Sequence, residues 1–292
     1  MSHTGRTYVV TGADSGIGAL TARTLEDRGA RVIRCGLGEE LDVSADLGDE
    51  PGRDLLVQEV ARLAPGGIDG LALVAGLGEP TSTTVRVNYF GTLAVLAGLR
   101  TALRKREAPR AVIVSSASSL SAGDGDVIGA CLRGDEDAAV AAAERAIARG
   151  RGTALYRSSK IALNRWVRQS AATDDWAGTG VPLNIVAPGI VDTETAGEEM
   201  LSDPDRVRML SLALPQPLGF PGPVQAVADA IAWMIGPENS FMAGQIVFVD
   251  GGADAALRSD RPYREGVRYG PVALARMLGY SALSTLRSRK RR

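Results

Sequence analysis

At 292 residues, with 45% hydrophobic and 23% charged side chains and a formal net charge of −1, the chain has room for one α/β domain plus a tail, and its 35 Gly and 14 Pro carry no collagen-like period. One histidine, His3, expected in a mobile N-terminal segment, and two distant cysteines, Cys35 and Cys131, leave no support for a histidine base, and no metal is expected. Charge is uneven: residues 258–292 carry a net +8 and residues 1–257 a net −9, and an acidic body argues against nucleic-acid binding.

Residues 7–10 read as a first strand running into the glycine-rich Gly12-Ala13-Asp14-Ser15-Gly16-Ile17-Gly18, which opens a helix over 16–28. Strands then follow at 31–35, 70–74, 111–115, 183–186 and 245–249, with helices at 53–63, 84–106, 154–172 and 223–235 between them. This alternation predicts one doubly wound parallel sheet, covered on both faces and joined by right-handed crossovers. Two stretches break the rhythm. Residues 120–150 read as a loop followed by an exposed helix over 135–149. The connection 191–222, with Met200, Leu201, Met209 and Leu210, suits a substrate lid and a subunit contact equally. The tail over 258–292 combines apolar residues with a basic end. It is read as packing on a partner subunit or at the pocket mouth, ahead of a flexible end and of a peripheral membrane anchor. The two cysteines suggest a reducing, cytoplasmic setting, and the absence of a long apolar run suggests a soluble protein without membrane association.

The glycines at 12, 16 and 18 let the backbone turn tightly and approach a pyrophosphate, which the free amides at a helix N-terminus would hold. Asp14 is read as capping this turn rather than touching ligand. In NAD-preferring folds an acid at the end of the second strand holds the ribose 2′-hydroxyl. Here that place is Gly36, and Arg34 shares its face of the strand, so NADP(H) is favoured. NAD(H) stays open through Glu39, Glu40 or Asp42.

Lys160 is one of three lysines among 33 basic residues and lies four positions after Tyr156. Chance placement of six tyrosines and three lysines gives such a spacing only about 0.06 times. The two side chains share one helix face, where an ammonium should lower the phenol's pKa and make Tyr156 a general acid/base. Ser115 and Ser116 end the fourth main strand, at the carboxyl edge where open sheets bind ligands, and strand register favours Ser116 as the hydroxyl that holds a substrate oxygen. Asn88 sits inside a helix where asparagine is a poor former, so a polar role beside the site is expected.

Taken together, these motifs resemble the short-chain dehydrogenase/reductase family. They run from Thr11-Gly12-x-x-x-Gly16-Ile17-Gly18 through Ala75-Gly76, Asn88, Ser116, Tyr156-x-x-x-Lys160 and Pro188-Gly189 to Val249-Asp250-Gly251-Gly252, and span residues 7–252. The resemblance implies a Rossmann fold in which Ser116 orients a carbonyl, Tyr156 exchanges its proton, Lys160 holds the nicotinamide ribose and Asn88 holds a relay water. It further implies that Gly12, Ser15, Gly16, Ile17, Gly18, Ala75, Gly76, Pro188, Gly189 and Ile190 line the dinucleotide. Asp46 and Leu47 would flank its adenine and Thr193 its carboxamide. Two departures stand out: Val74 replaces the family's asparagine, and Ser116 lies 40 residues before Tyr156, a longer gap than the family pattern because of the 120–150 insertion. That insertion, with Val87-Asn88-Tyr89-Phe90-Gly91, resembles the bacterial 3α-hydroxysteroid dehydrogenase/carbonyl reductase branch. The implied activity is hydride transfer between NADP(H) and a bulky hydrophobic ketone or secondary alcohol of steroid, polyketide or terpenoid type, by a homodimer or homotetramer. The alternatives are an NAD-dependent hydroxysteroid dehydrogenase, a dinucleotide-sensing protein without turnover, and a tail-driven membrane-surface protein.

Overall fold

The structure, a computed structural model, describes residues 2–193 and 202–289, with side chains through Ser281. Strand β1 (Thr7–Thr11) has Tyr8, Val9 and Val10 fully buried, as expected of a strand with helices over both of its faces. It leads through α1 (Gly16–Asp27) to β2 (Arg31–Gly36), the short β3 (Val43–Ser44), α2 (Glu50–Leu63) and β4 (Gly70–Leu73). Next come α3 (Ser82–Val85), a wide π-helical turn (Arg86–Gly91), α4 (Thr92–Arg104) and β5 (Arg110–Val114). Helices α5 (Gly125–Arg133) and α6 (Glu136–Ala148) precede α7 (Leu155–Ser170) and β6 (Leu183–Pro188). After them lie α8 (Pro204–Ala213), α9 (Val224–Met234), β7 (Ile246–Val249) and α10 (Ala253–Arg258).

The strands make a seven-stranded sheet in the order β3-β2-β1-β4-β5-β6-β7, parallel throughout. Side chains alternate across it. Val9, Leu71, Leu73 and Ile113 face α2, α4 and α7, while Tyr8, Val10, Ala72 and Val112 face α1 and α9. The chain order reverses direction between β1 and β4, so a crevice opens beyond their carboxyl ends.

The segment over 120–150 departs from its expected form. The stretch read as loop contains α5, and α6 is not an exposed helix: Ala139, Ala142, Ala143 and Ala146 are buried in the core that α7 lines. Their spacing sets four small side chains on one face, where a backbone can pack closely, while Glu and Arg occupy the other. Asp124 and Asp135 cap the two helices, and Gly134, in the left-handed conformation at φ 73°, closes the first.

His3 also corrects its expectation. It is fully buried, its Nδ1 lies 2.7 Å from the Tyr8 hydroxyl, and its backbone N–H donates to the Arg28 carbonyl at 2.8 Å.

Residues 258–292 form a separate unit that contains α11 (Pro271–Arg289). Among the described residues no helix is long and apolar enough to cross a membrane. Met200 and Leu201 of the expected lid lie outside the described residues, as do Lys290, Arg291 and Arg292 of the tail.

Candidate active site

Helix α7 presents Tyr156 and Lys160 on one face, with the Lys160 Nζ 5.6 Å from the centre of the phenol ring. Lys160 is 2% exposed, and its Nζ donates to the carbonyl of Val114 at the end of β5, 2.9 Å away. Burial pushes its pKa down to about 8. For Tyr156, burial raises the pKa, and the neighbouring Ser116 hydroxyl pulls the other way. The lowering expected from the ammonium is therefore not what sets the phenol; desolvation outweighs it, and Ser116 is the group that eases ionisation.

The two serines at the end of β5 diverge because the strand alternates. Ser115 turns inward and donates to the Lys160 carbonyl at 3.4 Å, whereas Ser116 stays half-buried beside the phenol. Its Oγ also accepts the N–H of Ser118 at 3.1 Å, which caps the short turn Ala117–Leu120 and fixes its rotamer.

Asn88 sits in the π-helical turn, a feature frequent at functional sites because it breaks the regular backbone pairing. Its Oδ1 accepts the Leu77 N–H at 2.8 Å, and its Nδ2 donates to the Leu77 carbonyl at 2.9 Å and to Ser159 Oγ at 3.2 Å. Both amide hydrogens are thus used, and Asn88 ties the chain leaving β4 to α7. Between them passes Gly76, where a Cβ would lie 3.2 Å from Asn88 Oδ1 and 3.3 Å from Lys160 Nζ.

The glycine loop is folded against this same exit. Thr11 Oγ1 accepts the N–H groups of Val74 and Ala75 at 3.0 and 3.1 Å, and Gly12, at φ 66°, packs so closely that a Cβ would come within 2.8 Å of Ala75 Cα. A Cβ at Gly18 would run into the Gly12 carbonyl. Ser15 precedes α1 in extended conformation without capping it through its side chain. The first-turn amides around Gly16, Ile17 and Gly18 are left for an anion, a cradle that fits a pyrophosphate. Thr193 approaches the loop, its Cγ2 3.5 Å from where a Gly16 Cβ would be.

On the opposite side of the crevice, Gly189 donates to the Val249 carbonyl at 2.9 Å, and Pro188 ends β6. Gln216 holds this turn: its Oε1 accepts the Ile190 N–H at 2.6 Å and its Nε2 donates to the Ile190 carbonyl at 3.0 Å. Sequence reasoning missed Gln216, which sits between two prolines in a long connection with no periodicity to flag it.

The far end of the crevice differs from its expected form. Arg34 is engaged by both oxygens of Glu26 on α1, so it is not the free cation that the NADP(H) expectation assumed. Asp14 does not cap the loop; its carboxylate lies against Gly36, in the space a side chain there would fill. Asp46 accepts the Gly48 N–H at 2.8 Å, and the buried Leu47 passes its carbonyl to Arg53 at 2.8 Å, both just beyond β3. An open groove between α4, α7 and the insertion, lined by Tyr89, Phe90, Leu132 and Trp166, contains none of these site residues.

A family profile described as Enoyl-(Acyl carrier protein) reductase matches residues 12–254. The 3-alpha-hydroxysteroid dehydrogenase/carbonyl reductase of Comamonas testosteroni is 35% identical over 255 residues, 86% of this chain and 97% of that protein. Among solved structures, a 3-alpha-hydroxysteroid dehydrogenase from Pseudomonas sp. B-0831 complexed with NADH superposes with a TM-score of 0.79 at 38% identity, covering 87% of this chain and 98% of the other. A putative NAD(P) dependent gluconate 5-dehydrogenase from Beutenbergia cavernae with bound NADP gives 0.68 at 26% identity, covering 87% and 98%.

Proposed function

The chain belongs to the short-chain dehydrogenase/reductase family of oxidoreductases, and from that premise we propose that it transfers hydride between a nicotinamide dinucleotide and a bulky hydrophobic ketone or secondary alcohol. The observation that carries this reading is the phenol of Tyr156, beside the Ser116 hydroxyl and one helical turn from the buried Lys160, at the carboxyl edge of the sheet. A bound dinucleotide supplies or accepts the hydride at its nicotinamide ring. Tyr156 gives its hydroxyl proton to the carbonyl oxygen in reduction and takes it back in oxidation. Ser116 donates to that oxygen and holds the carbonyl in line. Because burial raises the phenol's pKa, the acid form persists at neutral pH, and reduction begins from a protonated Tyr156.

Lys160 keeps an ammonium beside the ring while anchored to Val114, and Asn88 fixes both the Gly76 segment and the start of α7. The glycine loop, with Ser15, Gly16, Ile17 and Gly18, would hold the pyrophosphate. Asp46 and Leu47 would border the adenine, and Ile190 and Thr193 the nicotinamide. A substrate of steroid, polyketide or terpenoid type is supported by the likeness to the Comamonas testosteroni enzyme. Assembly as a homodimer or homotetramer is supported by the exposed Leu212, Leu218 and Phe241 on the body. An NADP(H) preference rests on Gly36 alone once Arg34 is paired with Glu26.

The test is Tyr156→Phe. Turnover of steroid, polyketide and terpenoid ketones should fall about 10²–10⁴-fold while dinucleotide affinity is unchanged. Unchanged reduction of every ketone turned over by the parent protein would refute the proton role.

A further inference from the structure

We propose that Asp14 selects the dinucleotide, its carboxylate standing in for the acid that other folds place at the end of β2, so that this protein prefers NAD(H) to NADP(H). The inference rests on reading the glycine loop as a dinucleotide site and goes beyond that reading by naming the cofactor and the residue that chooses it.

Three observations carry it. Gly36 has no side chain, and a Cβ built there would overlap Asp14 Oδ1 and lie 3.0 Å from Asp14 Cγ. The acid missing from the strand is therefore replaced in space by one from the loop, and the glycine is what leaves room for it. Second, Asp14 is exposed, and among the described residues none donates a hydrogen bond to it. Its lone pairs are open to solvent, able to accept from a ribose hydroxyl and set to repel a phosphate dianion in the same place. Third, the cations of β2 are committed elsewhere. Arg34 is held by both oxygens of Glu26, and Arg31 donates to the Leu63 carbonyl at 2.9 Å. Glu39, Glu40 and Asp42, all exposed in the loop after Gly36, add negative field around the same spot.

The experiment is fluorescence titration of the full chain with NADH and with NADPH, without substrate, for the parent protein, Asp14→Ala, Asp14→Asn and the pair Asp14→Ala/Gly36→Asp. The parent should bind NADH at least about tenfold more tightly than NADPH. Asp14→Ala should erase that preference by weakening NADH and strengthening NADPH. Asp14→Asn keeps a hydrogen-bonding group without the charge, so NADH affinity should hold within about threefold while NADPH gains about tenfold. The double variant returns the carboxylate to the strand and should restore the NADH preference. A parent that binds NADPH as tightly as NADH, or a ratio that Asp14→Ala leaves unmoved, overturns the proposal. Binding of neither dinucleotide by the parent would overturn the site reading itself, a result distinct from an unchanged ratio.

Discussion

The ammonium of Lys160 sits where burial penalises its charge. Its pKa in the folded protein is about 8, against an ordinary 10.5, because burial removes water from the charge and a single carbonyl, that of Val114, replaces it. Between those two values the unfolded chain holds the extra proton, so stability rises with pH across the window, and below pH 8 the whole penalty is present. Lys160→Met should therefore stabilise the dinucleotide-free protein at pH 7 by roughly 2 kcal/mol, after allowing for the lost hydrogen bond, and the gain should fade toward pH 10.5 in denaturant titrations. A loss of stability at pH 7 would mean that the bond to Val114 outweighs the buried charge. A residue kept at such a cost points to function rather than packing. Tyr156, Lys160 and Asn88 could be picked out from spacing and from residue types out of place in a helix. Asp14 and Gln216 could not. What they do depends on the room left by Gly36 and on a turn 26 residues before Gln216, relations that exist only once the chain has folded.

At the scale of elements, side chains of the site's scaffold hold the insertion in place, α7 among them. The Asp124 N–H donates to Ser158 Oγ at 2.8 Å, two residues along α7 from Tyr156. Midway along it, Glu136 at the start of α6 receives both terminal nitrogens of Arg53, at 2.7 and 2.8 Å, while Arg53 Nε holds the Leu47 carbonyl. Arg86, from the π-helical turn, joins the same carboxylate at 3.2 Å. Glu136→Ala would leave the Arg53 guanidinium buried without its counter-charge. It should destabilise the protein by about 3 kcal/mol, measured by urea unfolding; a change below about 0.5 kcal/mol would show that the carbonyls alone satisfy Arg53. The parallel-sheet strands and their crossover helices were readable because apolar runs, glycine turns and helical periods agree there. The insertion misled because alanine contributes little hydrophobicity, so a tightly packed alanine face reads as solvent-exposed. β3, only two residues long, falls below any sequence pattern; its pairing of Gly36 with Ser44 is decided by the sheet edge.

For the molecule as a whole, the foot of the sheet is closed by the start of the chain. His3 packs edge-on against the Tyr8 ring, Arg6 donates to the same hydroxyl at 2.9 Å and to the Ala108 carbonyl at 2.8 Å, and Asp69 accepts the N–H of Thr7 at 2.8 Å. Burial lowers the His3 pKa below its ordinary 6.5, and among the described residues its Nε2 has no hydrogen-bond partner. As pH falls through 6.5 the unfolded chain takes up the proton first, so stability is full above that value and declines below it. His3→Phe should flatten this acid limb of the stability profile between pH 7 and 5, as followed by thermal melts. A limb of unchanged slope would assign it to carboxylates instead. The two buried thiols give the same body a further property. Cys35 lies on β2, where its carbonyl receives the Ala13 N–H of the glycine loop at 3.0 Å, and Cys131 lies in the insertion; burial pushes both up to about 12. Neither can react as a thiolate while its surroundings stay closed. The protein thus carries two internal clocks, and the rates at which an alkylating reagent stops each one would time the breathing of the nucleotide half and of the insertion separately.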